Sequence, residues 1–132
     1  RVPIGSLMRG RHGEFPEYHS SGDDLAFVKD AQLVDALEML HETLCCAQRN
    51  RIYRNLAPYG EPMLGRRGVY RSLGGRSLTD LQLAIFWVLT AADGRTDMLS
   101  IAARSGLPMD TLHAAATVLL DCDLLSVEEG QP

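Results

Sequence analysis

The sequence has little of several features that would assign a protein to a specialised class. Only three of its 132 residues are cysteine, which excludes a disulfide framework and leaves at least one thiol unpaired. No apolar run reaches the roughly 20 residues that a membrane-spanning helix needs, so we expect no membrane partner. Arg1-Val2-Pro3 does not resemble a signal peptide, and no targeting signal can be read from it. The scarcity of cysteine predicts a reducing, cytoplasmic setting.

Lysine is almost absent, because Lys29 is the only one and the other basic residues are arginine. This bias reflects either genome composition or planar recognition of carboxylate and phosphate groups, which arginine performs better than lysine. Residues 1–75 carry ten basic and nine acidic side chains, a net charge of +1, whereas residues 76–132 carry three and eight, a net charge of -5. Seven arginines fall between Arg49 and Arg76 against one acid, Glu61.

The first half of the chain combines loops with one clear helical pattern, and its hydrophobic content of 45% is that of a globular protein. The pattern predicts a short strand over residues 2–9, a polar loop over 10–24 and a helix from Asp30 to about Asn50. The apolar face of this helix consists of Leu33, Leu37, Leu40 and Leu44. Residues 51–77 hold seven prolines and glycines among apolar and aromatic residues, which predicts a packed but irregular strap.

The second half reads as a small helical domain. Gly74-Gly75 predicts the boundary between a first domain, residues 1–75, and a second, residues 76–132. Three helical patterns cover about residues 77–92, 97–105 and 108–121, and a short strand over 124–127 follows them. Three helices with a tight glycine turn and a terminal strand are the layout of a winged helix-turn-helix. The first helix is apolar nearly all round Trp87, so we expect it to pack on the first domain, on a partner or on a second copy of the chain.

The predicted recognition helix argues against binding to duplex DNA. Residues 108–121 contain neither arginine nor lysine, and their domain is net negative. A helix that enters a groove lined by phosphates needs basic or amide groups. We therefore expect no nucleic-acid partner and a scaffold or protein-contact role. The Arg49–Arg76 segment, with its interleaved tyrosines, stays as an alternative site for single strands.

The most informative stretch runs from Glu14 to Asp24. It offers one imidazole, His19, in a polar loop, and two carboxylates four and five positions later. A metal-bound histidine needs an acceptor for its second ring nitrogen, and Asp23 is placed to supply one. The alternative is a surface turn in which serine and aspartate side chains bond the local backbone.

Here the sequence resembles a known family. Phe15-Pro16-Glu17-Tyr18-His19-Ser20-Ser21, followed by Asp23, resembles the last metal-binding motif of the co-catalytic di-zinc aminopeptidase and carboxypeptidase superfamily. More closely, the chain from about Ser6 to Val127 resembles a bacterial aminopeptidase-like family that ends in a winged helix. The other matching stretches are Asn50-Arg51-Ile52-Tyr53-Arg54-Asn55, Pro58-Tyr59-Gly60-Glu61-Pro62, Leu64-Gly65 and Arg67-Gly68.

The resemblance implies a fold with two parts. Residues 1–75 would be an α/β fragment, the end of a zinc-peptidase-like body. This fragment would consist of a strand, a ligand loop and a long helix, followed by an arginine-rich connecting strap. Residues 76–132 would be a small, mainly α winged-helix domain.

The resemblance also implies a role for each matching residue. His19 would be a terminal ligand of one zinc ion, Tyr18 would stabilise the oxyanion of a tetrahedral intermediate, and Asp23 would hold the ligand in place. The reaction would be metal-assisted hydrolysis of a peptide or small amide. Weaker candidates for substrate binding are Arg9, Tyr59 and Glu61.

The chain departs from the superfamily in its number of ligands. The superfamily uses several protein ligands and a glutamate base, whereas His19 is the one ligand matched here, and one imidazole does not hold zinc usefully in water. We therefore expect a C-terminal portion whose partner is the missing N-terminal part of the catalytic body. The complete body would hold two zinc ions, and the isolated chain would hold no stoichiometric zinc and be inactive. The alternative is a non-catalytic binding or regulatory module in which the winged helix mediates protein contacts.

Overall fold

The computed structural model describes residues 5–60, 62–67, 69 and 78–128, without the side chains of residues 78 and 79. The chain divides into two compact units, the first unit at Arg1–Ala47 and the second unit at Gln48–Pro132. The boundary predicted at Gly74-Gly75 lies outside the described residues.

The first unit consists of a long loop region and a helix. Helix α1 (Asp30–Arg49) begins at the residue predicted as its N-cap and ends one residue before the predicted end. None of its residues is buried. The predicted strand over residues 2–9 is wrong for residues 5–9, which form no strand, while residues 2–4 lie outside the description. A strand needs a partner to accept and donate its backbone hydrogen bonds, and the described part of the first unit contains no other strand.

The second unit is an α-rich domain with a three-stranded antiparallel sheet. Its elements are β1 (Ile52–Asn55), α2 (Leu78–Ala91), β2 (Asp93–Asp97), α3 (Met98–Ser105), α4 (Met109–Asp121) and β3 (Leu125–Val127). The strand order is β2-β1-β3, so the strand that comes first in the chain lies at the centre of the sheet. Tyr53 pairs with Val127 and Ile52 pairs with Asp97. The central strand therefore precedes the three helices in the chain.

Strands β1 and β2 correct the sequence analysis at two places. Residues 52–55 were predicted as part of an irregular strap, and Asp93-Gly94 was predicted only as the end of a helix. Both segments are short, and the last two residues of β1, Arg54 and Asn55, carry no strand signal. Their strand geometry comes from pairing with distant parts of the chain. A side-chain bond between Arg54 and Glu128, which are 74 positions apart, illustrates this distance.

The helix-turn-helix agrees with the local signals in the sequence. Asp97 caps α3 by accepting the Ser100 N–H at 2.7 Å. Gly106 ends α3 at φ 69, in the left-handed region where glycine has no steric cost, and its N–H donates to Ala102 O. Helix α4 begins directly after Pro108. The predicted helices and their order are therefore confirmed.

The core lies entirely in the second unit within the described residues. The large side chains that are fully buried are Ile85, Met98, Ile101, Leu112, Leu119, Leu124, Val69 and Val88. The side chains that α3 and α4 bury in this core are Met98, Ile101, Leu112, Ala115, Ala116 and Leu119. The outer face of α2 stays exposed at Leu83 and Phe86. Within the described ranges, no helix combines the length and apolarity that crossing a membrane requires.

Candidate functional site

The first candidate site is the loop over residues 10–24, called here the His19 loop. Successive turns shape it: the Tyr18 N–H donates to Phe15 O at 3.2 Å and the Ser20 N–H donates to Glu17 O at 3.0 Å. The Ser20 hydroxyl donates to Glu17 O at 2.9 Å and accepts the Gly22 N–H at 3.2 Å. Ser20 therefore fixes the backbone on both sides of His19.

His19 lies at the turn of this loop with an unusual backbone. Its φ is 55, in the left-handed region that a non-glycine residue seldom adopts. The side chain is exposed, and none of the hydrogen bonds between described residues involves its ring. Strained backbone of this kind is concentrated at functional positions. An exposed imidazole without a hydrogen-bond partner in the described part of the chain suits a ligand that completes a site formed by other groups.

Tyr18 packs against two imidazoles. Its ring centroid lies 4.2 Å from that of His19 and 5.5 Å from that of His12, which stacks on it at 13°. Phe15 meets Tyr18 edge-on and stacks on Phe27 at 5.9 Å. The sequence analysis missed His12 as a neighbour of Tyr18. His12, Phe15 and Tyr18 are spaced three positions apart, about one turn of chain, and this spacing could have indicated that their rings are neighbours.

The two carboxylates after His19 differ in what they do. Asp24 Oδ1 accepts the backbone N–H groups of Ala26 at 2.8 Å and Phe27 at 3.1 Å, so this side chain caps the turn that follows. Asp23 is exposed, and no hydrogen bond joins it to His19 among the described residues. The role of Asp23 as the partner of a metal-bound His19 stays a prediction.

The described residues do not form a complete metal site. Within them, no group of three or more histidine, cysteine, aspartate or glutamate side chains is placed to hold a metal ion. His41 and Cys45 on α1 approach to 3.7 Å between Nε2 and Sγ, but they are only a pair. The His19 loop therefore fits zinc as the source of one ligand among ligands from elsewhere.

The weaker substrate-binding candidates have separate outcomes. Arg9 Nη1 lies 2.6 Å from Asp35 Oδ2 and donates to Gln32 O at 2.7 Å, so its guanidinium is already held on α1. Tyr59 is 96% exposed. Glu61 lies outside the described residues.

Arginines of the Arg49–Arg76 segment bind the second unit itself. Arg49 Nη1 lies 2.6 Å from Asp110 Oδ1 in the first turn of α4, and Arg54 pairs with Glu128. Arg67 donates to Pro62 O at 3.1 Å and to Cys122 O, at the end of α4, at 3.3 Å. Three guanidinium groups are thereby engaged in intramolecular contacts instead of being presented to phosphates.

The N-terminus of α3 is also engaged in contacts within the protein. The first backbone N–H groups of a helix are free to bind an anion unless the protein caps them. Here the Met98 N–H donates to Arg51 O at 3.1 Å, and the Leu99 N–H donates to Asn50 Oδ1 at 3.0 Å. With the Asp97 cap on Ser100, the first three N–H groups of α3 all have protein acceptors.

A second candidate site is a cleft of about 480 Å³ on the second unit. It lies between residues 55–60, 62 and 64 on one side and the C-terminal half of α2 on the other, and the chain around Asp93 closes it. Backbone N–H groups of Thr96 and Arg95 donate to Asp93 and hold the pKa of its carboxyl below the usual value. The sequence analysis did not anticipate this cleft.

Comparisons with known proteins match both halves of the chain. A family model for a winged helix-turn-helix matches residues 51–127, and a model for a domain of unknown function (DUF4910) matches residues 1–50. A Clostridium acetobutylicum protein named for polysaccharide biosynthesis and an aminopeptidase-like domain is 39% identical over 127 residues. The match covers 96% of this chain and 29% of that protein.

A solved structure gives a similar result. The crystal structure of a Clostridium acetobutylicum protein described as a peptidase matches with a TM-score of 0.72 and 33% identity. The match covers 86% of this chain and 24% of that one. The chain thus spans less than a third of the length of either relative.

Proposed function

The chain belongs to the winged helix-turn-helix family over residues 51–127, and on this premise we propose that it is the C-terminal part of a zinc-dependent aminopeptidase-like hydrolase that acts in the cytoplasm. The name of the 39% identical relative supports the aminopeptidase-like assignment. The observation that carries the proposal is the exposed imidazole of His19, on a left-handed backbone beside Tyr18, within the Tyr-His-Ser motif.

Four residues of the His19 loop have distinct tasks in this proposal. His19 holds one of two zinc ions through a ring nitrogen, and Ser20 keeps the loop in the shape that presents this ring. Tyr18 donates its hydroxyl to the oxygen that becomes negative when a peptide or amide carbonyl is attacked. Zinc, when bound, polarises that carbonyl and lowers the pKa of the attacking water. Asp23 accepts from the second nitrogen of His19 once the missing part of the body orders the two side chains.

The decisive experiment counts metal ions in the longer protein. We expect two zinc ions per chain by mass spectrometry of the purified protein, and one after His19→Ala. His41→Ala is the matched control, because His41 is also an exposed histidine but lies on α1. Two retained ions in His19→Ala would contradict the assignment of His19.

The isolated chain gives a second measurement. One imidazole is too few ligands for a zinc site, so we expect no stoichiometric zinc and no amide hydrolysis from residues 1–132 alone. Tight zinc binding by this chain, abolished by Cys45→Ala instead of His19→Ala, would move the metal site to α1.

A second candidate function is a non-catalytic module in which the winged helix contacts another protein. The caps on α3 and the three engaged arginines favour this over nucleic-acid binding. The exposed Leu83, Phe86 and half-buried Trp87 offer a surface for such a contact or for a second copy of the chain. A salt-sensitive, micromolar affinity for duplex DNA would contradict the protein-contact function, and unchanged metal content in His19→Ala would favour the module over the hydrolase.

A further inference from the structure

The cleft lies on the second unit, and none of its lining residues belongs to the His19 loop. Its volume of about 480 Å³ falls within the range of roughly 300–1,000 Å³ that is typical of small-ligand sites. Its apolar walls include Pro58, Leu64, Phe86 and Leu89, and its exposed polar lining is Thr90 and Asp93. A largely apolar lining with few polar groups is typical of a ligand pocket.

The cleft is held open by bonds that do not depend on a ligand. Asn55 Nδ2 donates to Leu89 O at 2.9 Å, and Asn55 Oδ1 accepts the Ala57 N–H at 2.8 Å. The Asn55 N–H donates to Ala92 O at 2.8 Å. This one residue therefore ties the strand side of the cleft to the helix side. A preformed cleft loses little free energy to ordering when a ligand enters.

Among the described residues that line the cleft, one side chain is charged, that of Asp93. Its carboxylate is fixed, since Oδ1 accepts the N–H groups of Arg95 at 2.8 Å and Thr96 at 2.7 Å and Oδ2 accepts the Thr96 hydroxyl at 3.1 Å. Each carboxylate oxygen can accept further bonds, so a positioned anion is available beside an apolar wall.

We propose that this cleft binds a small ligand in which a primary amine is joined to a bulky apolar group. The amine pairs with the Asp93 carboxylate, and the apolar group lies against Phe86 and Leu64. The half-exposed ring of Phe86 also attracts a cation through its face. All the described residues that line this site belong to the second unit.

The test titrates the whole 132-residue chain with 4-phenylbutylamine and follows backbone amide shifts by NMR. We expect saturable shifts at Leu89, Thr90, Ala92 and Asp93. The N-acetylated probe, which has the same apolar group and no charge, should bind about five-fold more weakly, the factor expected for one partly screened charge pair. Equal affinity for the two probes, or no saturable shifts at millimolar concentration, would overturn the proposal.

Two variants and one control variant locate the site. Asp93→Asn keeps an oxygen for the Arg95 and Thr96 N–H groups and should weaken the amine about five-fold. Asp80→Asn, which removes the same charge from the exposed first turn of α2, should leave the affinity unchanged. Thr90→Trp should fill the cleft and abolish binding of both probes. Equal losses in the two aspartate variants, or full binding in Thr90→Trp, would show that the amine binds elsewhere and reject the site.

Discussion

The two units differ in burial far more than in apolar content. In the first unit, Leu37 on α1 is 66% exposed, and no described residue of that unit is buried. In the second unit, Leu119 on α4 is 0% exposed and lies in a core formed by three helices and a sheet. Both leucines belong to helices with a regular apolar face. Periodicity therefore identifies the face of a helix that is suited to burial, but a partner surface has to exist for burial to occur.

This difference bears on which part of the chain carries its own stability. Burial of apolar area is the dominant favourable term in folding, and within the described residues only the second unit has side chains that are buried. The leucines of α1 require apolar surface that the described residues of the first unit do not supply. The His19 loop, on which the proposed chemistry depends, lies in that less stabilised unit.

The sharpest test of the comparison replaces one leucine in each unit. Leu119→Ala should lower the free energy of unfolding by about 2–5 kcal/mol, because it removes buried methyl groups and leaves a cavity. Leu37→Ala should change it by less than about 0.5 kcal/mol, as at other exposed positions. Urea unfolding followed by Trp87 fluorescence and circular dichroism measures both. Equal losses would mean that α1 is buried in solution and would break the contrast.

The next test separates two glycines of the second unit. Gly94 and Gly106 both have positive φ, 78 and 69, but only at Gly94 would a Cβ meet another group, the Arg54 guanidinium. Gly106→Ala should lose about 1–2 kcal/mol from the left-handed backbone alone. Gly94→Ala should lose slightly more, because the flexible Arg54 side chain must move aside from its pair with Glu128, and Arg54→Ala in the same chain should remove the excess. An identical loss at the two positions would show that Arg54 does not pack there.

The sequence predicts the helices of the second unit because their signals are local. Asp97 and Gly106 stand at the two ends of α3, and Pro108 stands before α4, each within one turn of the helix that it delimits. Strand β1 could not be predicted, because its hydrogen bonds run to β2 and β3, far along the chain. Its four residues are too few to show the alternation of apolar and polar side chains that predicts a strand.

The candidate sites divide in the same way. His19 and Tyr18 could be named from a contiguous motif, and the exposure of His19 agrees with the ligand role proposed for it. The cleft could not be predicted, because Asn55, Phe86 and Asp93 meet only after the sheet and α2 have packed. Asp93-Gly94 predicts the stop of a helix, and α2 does end just before it, at Ala91, but this signal indicates neither strand β2 nor a pocket.

The third test uses the cap of α3 and its pH dependence. Asp97→Ala should cost about 1 kcal/mol, the usual value of an N-cap. The pKa of Asp97 is lowered by hydrogen bonds from the Ser100 side chain and backbone N–H, and a hydrogen bond from the Asn50 side chain adds to this. A carboxyl with a lowered folded pKa contributes stability above its unfolded pKa and loses it as the pH falls through the folded value. Acid titration of unfolding should therefore show a smaller loss in Asp97→Asn, which keeps a capping oxygen without a titrating proton.

The smallest effect tests whether the end of α1 belongs energetically to the second unit. Arg49 and Asp110 form an ion pair at 2.6 Å, with side chains 47% and 84% exposed. Exposed pairs contribute about 0.2–1 kcal/mol and are screened by salt, so Arg49→Met should lower the stability of the second unit by that amount, and less in high salt. Arg66→Met, at an exposed arginine that forms no ion pair with a described residue, is the control. A double-mutant cycle with Asp110→Asn that gives no coupling would mean that, among the described contacts, the Asn50 side-chain oxygen and the Arg51 carbonyl join the end of α1 to α3 without help from this ion pair.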